Sequence, residues 1–160
     1  TDVVRRIRQT AAELDASVLF VGSADEEVGL RGYYLDALQE RFDPAVAGVL
    51  NGATWAAWHA PFVYFPGYYA NTTFDPALWW WLPSIVLQTL LLVWVYDGTD
   101  RSILAVLLFH ATMNLTGEFL GLAPELFPFQ LPVLALAAAV LVAYWARTHE
   151  TRRGGAAGNR

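Results

Sequence analysis

Four apolar stretches, each close to the length of a membrane crossing, alternate with short polar connections along this chain. The first runs from Pro44 to about Phe65, interrupted by Asn51, Thr54 and His59, and the second from Ala77 to Tyr96. Ser102 to about Leu120 is the third and Phe129 to Trp145 the fourth. A bilayer-spanning helix needs ~20 mostly apolar residues, so the pattern predicts an all-α, polytopic transmembrane helix bundle. Pro44, Pro76 and Pro128 fall at helix starts, where a missing N–H costs nothing. Trp79-Trp80-Trp81 at one end of the second stretch and Trp94 and Tyr96 at the other match the aromatic belts of spanning helices. The string Asp97-Gly98-Thr99-Asp100-Arg101 and the Arg147–Arg160 tail cannot lie in hydrocarbon.

Composition agrees with the pattern. Hydrophobic residues make up 56% of the 160, and charged residues only 16%, against roughly 45–50% and ~25% in a soluble domain. A soluble bundle is the competing class. It is disfavoured because four such stretches are hard to bury in so small a core. A net charge of −5 with no basic stripe argues against nucleic acid as a partner. The expected partner at this level is the lipid bilayer. With no cysteine, a Cys nucleophile, disulfides and thiolate metal ligands are excluded.

All ten basic residues are arginine. Arg41, Arg101 and the Arg147/Arg152/Arg153 tail sit in alternate connections, whereas those near Gly67–Asp75 and Gly121–Pro128 carry none. The positive-inside rule then expects a multi-pass cell-membrane protein with a cytoplasmic C-terminus. The cluster Arg5, Arg6 and Arg8 leaves the topology of the N-terminal segment open. The chain opens on Thr1, and its first stretch, with Arg5, Arg6 and Arg8, is followed by no apolar run of the kind expected of a signal peptide. Residues 1–16 are therefore expected to be a polar segment following membrane helices upstream. Residues 17–147 are the expected core, and 148–160 an expected disordered basic tail.

Ionisable groups at membrane depth are costly and point to function. Three clusters stand out. In Glu26-Glu27-Val28-Gly29-Leu30-Arg31, neighbouring residues project ~100° apart on a helix, so the two glutamates cannot share a task. Glu27 and Arg31, at i,i+4, can pair, which leaves Glu26 free to act as a base. His59 lies near the end of an apolar helix, on one face with Asn51 and Trp55, and Pro61 is expected to end or kink that helix. His110 and Asn114, at i,i+4, face one way from an apolar helix. Interhelical hydrogen bonding is the plain alternative for these residues, and it is the reading given to Gln88. One shared hydrolytic centre is the more economical account of all three clusters.

In this order, Glu-Glu-x-x-x-Arg, aromatic-x-x-x-His and His-x-x-x-Asn, the chain resembles the CPBP intramembrane protease family. That family comprises the type II CAAX prenyl endopeptidases and the bacterial Abi or bacteriocin-processing proteins. The resemblance covers roughly Val18 to Gly117. At the second motif Trp55 stands where Phe is more usual, read as one aromatic replacing another. The resemblance implies an intramembrane endopeptidase whose partner is a peptide or membrane-protein substrate, membrane-associated or prenylated (CAAX-type). Glu26 would be the general base, His59 its partner in activating water, and His110 and Asn114 the oxyanion donors. Glu27 and Arg31 would support the site structurally. No cofactor is favoured. Zinc held by Glu26, His59 and His110 is the live alternative, although His-Glu-x-x-His is absent. A non-catalytic membrane scaffold or bacteriocin-immunity protein of the same fold is the alternative outside catalysis.

Overall fold

Glycines at Gly48 and Gly52 decide how the two best-packed helices meet. A Cβ on Gly48 would lie 2.7 Å from Leu90 Cδ2, and one on Gly52 would lie 2.9 Å from the Cα of Val86. This small-xxx-small spacing lets two backbones approach closely, as at many helix pairs in membranes. The protein is described by a computed structural model, which covers residues 26–65, 76–119 and 124–157. Their regular elements are all helical, with no strand among them.

Residues 26–29 are α-helical and run into a π-helical turn at Leu30–Tyr34, which continues as α1 (Leu35–Gln39). A short turn leads to α2 (Pro44–His59), followed by a 3-10 turn at Ala60–Tyr64. Then come α3 (Leu78–Gly98), α4 (Ile103–Phe119), a 3-10 turn at Pro124–Phe129 and α5 (Gln130–Ala157). α3 is the central helix, packed against α2, α4 and α5. Its residues Trp80, Ile85, Leu90, Leu92, Val93 and Tyr96 join Leu35, Ala47, Trp55, Val106 and Trp145 in the core.

The element boundaries follow local chemistry. Asp43 caps α2, its carboxylate accepting from the N–H groups of Ala45 and Val46 at 3.0 Å each, with Pro44 in the first helical position. Pro61 lies in the 3-10 turn that follows, so α2 has 16 residues and stops short of a full crossing. α4 has 17. Two of the four expected spans therefore reach spanning length and apolarity among the described residues, Leu78–Gly98 and the stretch Glu125–Thr148 within the last 3-10 turn and α5. The expected N-terminal segment, 1–16, lies outside the described residues. α5 continues to Ala157, so the expected boundary at 147 falls inside a helix.

The aromatic belt is narrower than its sequence suggests. Trp79 and Trp94 are exposed, but Trp80, Trp81 and Tyr96 are buried. Three consecutive helical residues cannot all face outward. Trp80 instead stacks on Phe127, ring centroids 6.4 Å apart, which sets the start of α3 beside the approach to α5. At the opposite end, Asp36 accepts from Tyr96 Oη and from Arg101 Nη1, both at 3.1 Å, and Gln39 donates to Asp97. The connections bearing Arg41 and Arg101 thus share one end of the bundle. The glue expected of Gln88 lies elsewhere: among the described residues Gln88 has no side-chain hydrogen bond, and Asn51 donates to Leu30 O at 2.7 Å.

Candidate active site

The π-helical turn begins three residues after Glu27. There the N–H of Leu35 donates to Leu30 O, and buried Asn51 donates to the same carbonyl. Such turns often occur at functional sites. This one fixes the segment bearing Glu26, Glu27 and Arg31 against α2. Gly32 helps, since its missing side chain leaves room for Ile103 Cδ1, 3.3 Å from where a Cβ would be. Glu26 and Glu27 project differently, as their adjacency requires, and each meets a different histidine.

Glu27 is fully buried. Its Oε1 lies 2.7 Å from His110 Nδ1 and 3.4 Å from Arg31 Nη1. The expected Glu27–Arg31 contact is present, and His110 joins it from α4. A carboxylate only accepts, so the short contact places the hydrogen on His110 Nδ1 and leaves Nε2 as the ring's other functional atom. Glu27 Oε2, Arg31 Nε, Arg31 Nη2 and Asn51 Oδ1 are buried without a hydrogen-bond partner among the described residues. The Arg31 guanidinium also lies over the Trp55 ring, Cζ 4.2 Å from its centroid, a cation–π contact that offsets part of the desolvation of the charge.

Glu26 and His59 form the second pair. Glu26 Oε2 accepts from Trp55 Nε1 at 3.1 Å, while its Oε1 lies 3.8 Å from His59 Nε2. Both side chains keep some solvent access, 27% and 17%. The separation is too long for a direct hydrogen bond and suits a bridging water ~2.8 Å from each atom. His59 Nδ1 lies 3.0 Å from the carbonyl oxygen of Trp55. A carbonyl cannot donate, so Nδ1 carries the hydrogen and Nε2 of the neutral ring is an acceptor. Trp81 and Phe62 close around the imidazole edge-on, at 5.6 and 5.8 Å.

Trp55 lies between the two pairs. Its ring meets His59 at 5.4 Å and His110 at 5.1 Å, both edge to face. Glu26, Glu27, Arg31, His59 and His110 are thereby gathered around one buried indole. Asn114 lies one turn beyond His110 on α4, half-buried, and has no hydrogen-bond partner among the described residues. The contacts between charged residues stop at His110 and do not extend to it. Trp55 is more than one aromatic replacing another, because its N–H is engaged by Glu26. The signal was the departure itself, since an indole carries an N–H that a phenyl ring lacks.

The residues fit a metal centre poorly. Among the described residues, no three His, Asp or Glu side chains are placed to hold an ion. His110 Nδ1 is already engaged by Glu27 Oε1.

The comparisons with known proteins agree with the ordered motifs. Residues 14–116 match the family model described as type II CAAX prenyl endopeptidase Rce1-like. Over 130 residues the chain is 30% identical to a protein named CAAX prenyl protease 2 from Methanococcus maripaludis. That alignment covers 79% of this chain and 48% of the relative, so the chain spans about half the length of the curated relative it matches.

Proposed function

The chain belongs to the type II CAAX prenyl endopeptidase Rce1-like family, a family of membrane proteins, and on that premise we propose an intramembrane endopeptidase. Its substrates are membrane-associated peptides or proteins, those with prenylated CAAX-type tails foremost. The observation that carries the proposal is the Glu26–His59 gap of 3.8 Å, with one acceptor atom on each side.

A water in that gap donates one O–H to Glu26 Oε1 and the other to His59 Nε2. Its oxygen lone pair is then free to attack a peptide carbonyl. As the C–O bond forms, Glu26 takes the water's proton, and the tetrahedral intermediate carries the charge on its oxygen. Collapse breaks the C–N bond, and the proton passes from Glu26 to the leaving amine. Acid–base work of this kind typically contributes ~10²–10⁴-fold.

His110 and Asn114 are the proposed oxyanion donors. Asn114, without a hydrogen-bond partner among the described residues, can offer its amide, and His110 can offer Nε2. Because Nδ1 is committed to Glu27, Nε2 donates only from the doubly protonated ring. The Glu27 carboxylate thus stands directly behind a proposed donor, a role beyond holding the helix in register. One such donor is typically worth ~3–4 kcal/mol.

The proposed chemistry uses no metal, since Glu26 and His59 suffice to polarise the water. The test is to reconstitute the full-length protein in liposomes with membrane-anchored peptides, one of them prenylated near its C-terminus. Mass spectrometry should find cleavage at a discrete bond. Failure to cleave any of them would favour a non-catalytic scaffold of the same fold.

A further inference from the structure

Trp55 makes five separate contacts within the site. Its N–H donates to Glu26 Oε2, and its carbonyl accepts from His59 Nδ1. Its face lies under Arg31, and its ring meets both histidines edge to face. The side chain is 3% exposed, so these contacts are made away from bulk water.

The consequences differ by atom. The carbonyl contact is a backbone property that any residue at 55 could supply. The packing of the ring could be kept by phenylalanine. The N–H is specific to tryptophan. By engaging Oε2 it fixes the rotation of the Glu26 carboxylate, and so it directs Oε1 at His59 Nε2. Without it the carboxylate can turn about its terminal torsion, a broad, soft degree of freedom, and the gap loses its defined width. The cation over the indole face draws electron density toward itself, which strengthens the N–H as a donor.

We propose that Trp55 is a positioning residue, whose indole N–H sets the Glu26 carboxylate for water activation. The inference rests on the reading of Glu26 and His59 as the water-holding pair. It assigns Trp55 no contact with substrate.

Trp55→Phe in the full-length protein keeps the ring and removes the donor. We expect kcat to fall about tenfold with KM unchanged, the scale of one hydrogen bond to a charged group. A merely structural role would move stability, or KM and kcat together. The second measurement needs no variant at position 55. The protein has seven tryptophans, and with 15N-labelled indoles Glu26→Ala should move one N–H resonance strongly upfield. Wild-type kcat in a folded Trp55→Phe protein, or indole resonances unmoved by Glu26→Ala, would overturn the inference. Should Trp55→Phe not fold, the resonances decide. Glu26→Gln separates the two levels. If it is inactive while Trp55→Phe has wild-type kcat, the water-holding pair stands and only the role of Trp55 falls. If Glu26→Gln cleaves normally, both fall.

Discussion

His110 Nδ1 lies 2.7 Å from Glu27 Oε1, a contact across 83 residues that joins α4 to the helix bearing the acidic pair. One residue earlier, Glu26 turns to Trp55 and His59 instead. Two successive glutamates thus serve two histidines on two other helices. Helical geometry requires the divergence, and the packing of α2 and α4 determines which histidine each one meets.

Glu27 and Arg31 should behave as a coupled unit. Glu27→Gln leaves the Arg31 charge buried without its partner, and losing one member of a buried pair costs roughly 3–5 kcal/mol. Adding Arg31→Met removes the orphaned charge and should recover about half of that. Activity should stay low in the double variant, because His110 has lost its carboxylate. Unfolding in detergent and turnover, measured on both variants, check this. Full activity in the double variant would return Glu27 to a structural role.

Packing at Gly52 should be less forgiving than at Gly48. A Cβ at 52 meets the Cα of Val86, whereas one at 48 meets the terminal methyl of Leu90, which can rotate away. Gly52→Ala is expected to destabilise by about 2 kcal/mol, within the range of overpacked cores, and Gly48→Ala by less than 1. Thermal unfolding of the two variants in the same detergent gives the order directly.

The turn between α3 and α4 holds Asp100 at φ 55° and Arg101 at φ 61°, left-handed values that favour glycine. Asp100→Gly should therefore raise stability, by up to about 1 kcal/mol. Arg101→Gly should not, because it also removes the contact to Asp36. A higher melting temperature for the first variant and not the second is the expected result.

Much of this was legible in the sequence, for reasons that can be named. The Glu27–Arg31 contact follows from i,i+4 spacing alone. Helix starts at Pro44 and near Pro76 and Pro128 follow from proline's missing N–H. The long span around Gln88 follows from length and apolarity. What could not be read depends on contacts between distant segments. The pairing of His110 with Glu27, 83 residues away, is set by how α4 packs. Glycines four apart at 48 and 52 mark a close helix approach, but the sequence alone does not say which helix they meet. The triplet Trp79-Trp80-Trp81 suggests a belt by composition, but the helical turn between neighbours buries two of the three.

Chelation addresses the zinc alternative. Activity is expected to survive exhaustive treatment with a chelator, because the proposed water is held by Glu26 and His59 alone. Loss of cleavage that stoichiometric zinc restores would replace this account with a metalloprotease.

The most direct test of the central claim is cleavage by Glu26→Gln in the full-length protein, in liposomes, with the melting temperature measured alongside. The substitution keeps the size of the side chain and an oxygen to accept from Trp55, and it removes the negative charge and the base. The account predicts an intact fold and at least a hundredfold loss in kcat, the lower end of what a general base contributes. Wild-type turnover by this variant would contradict it.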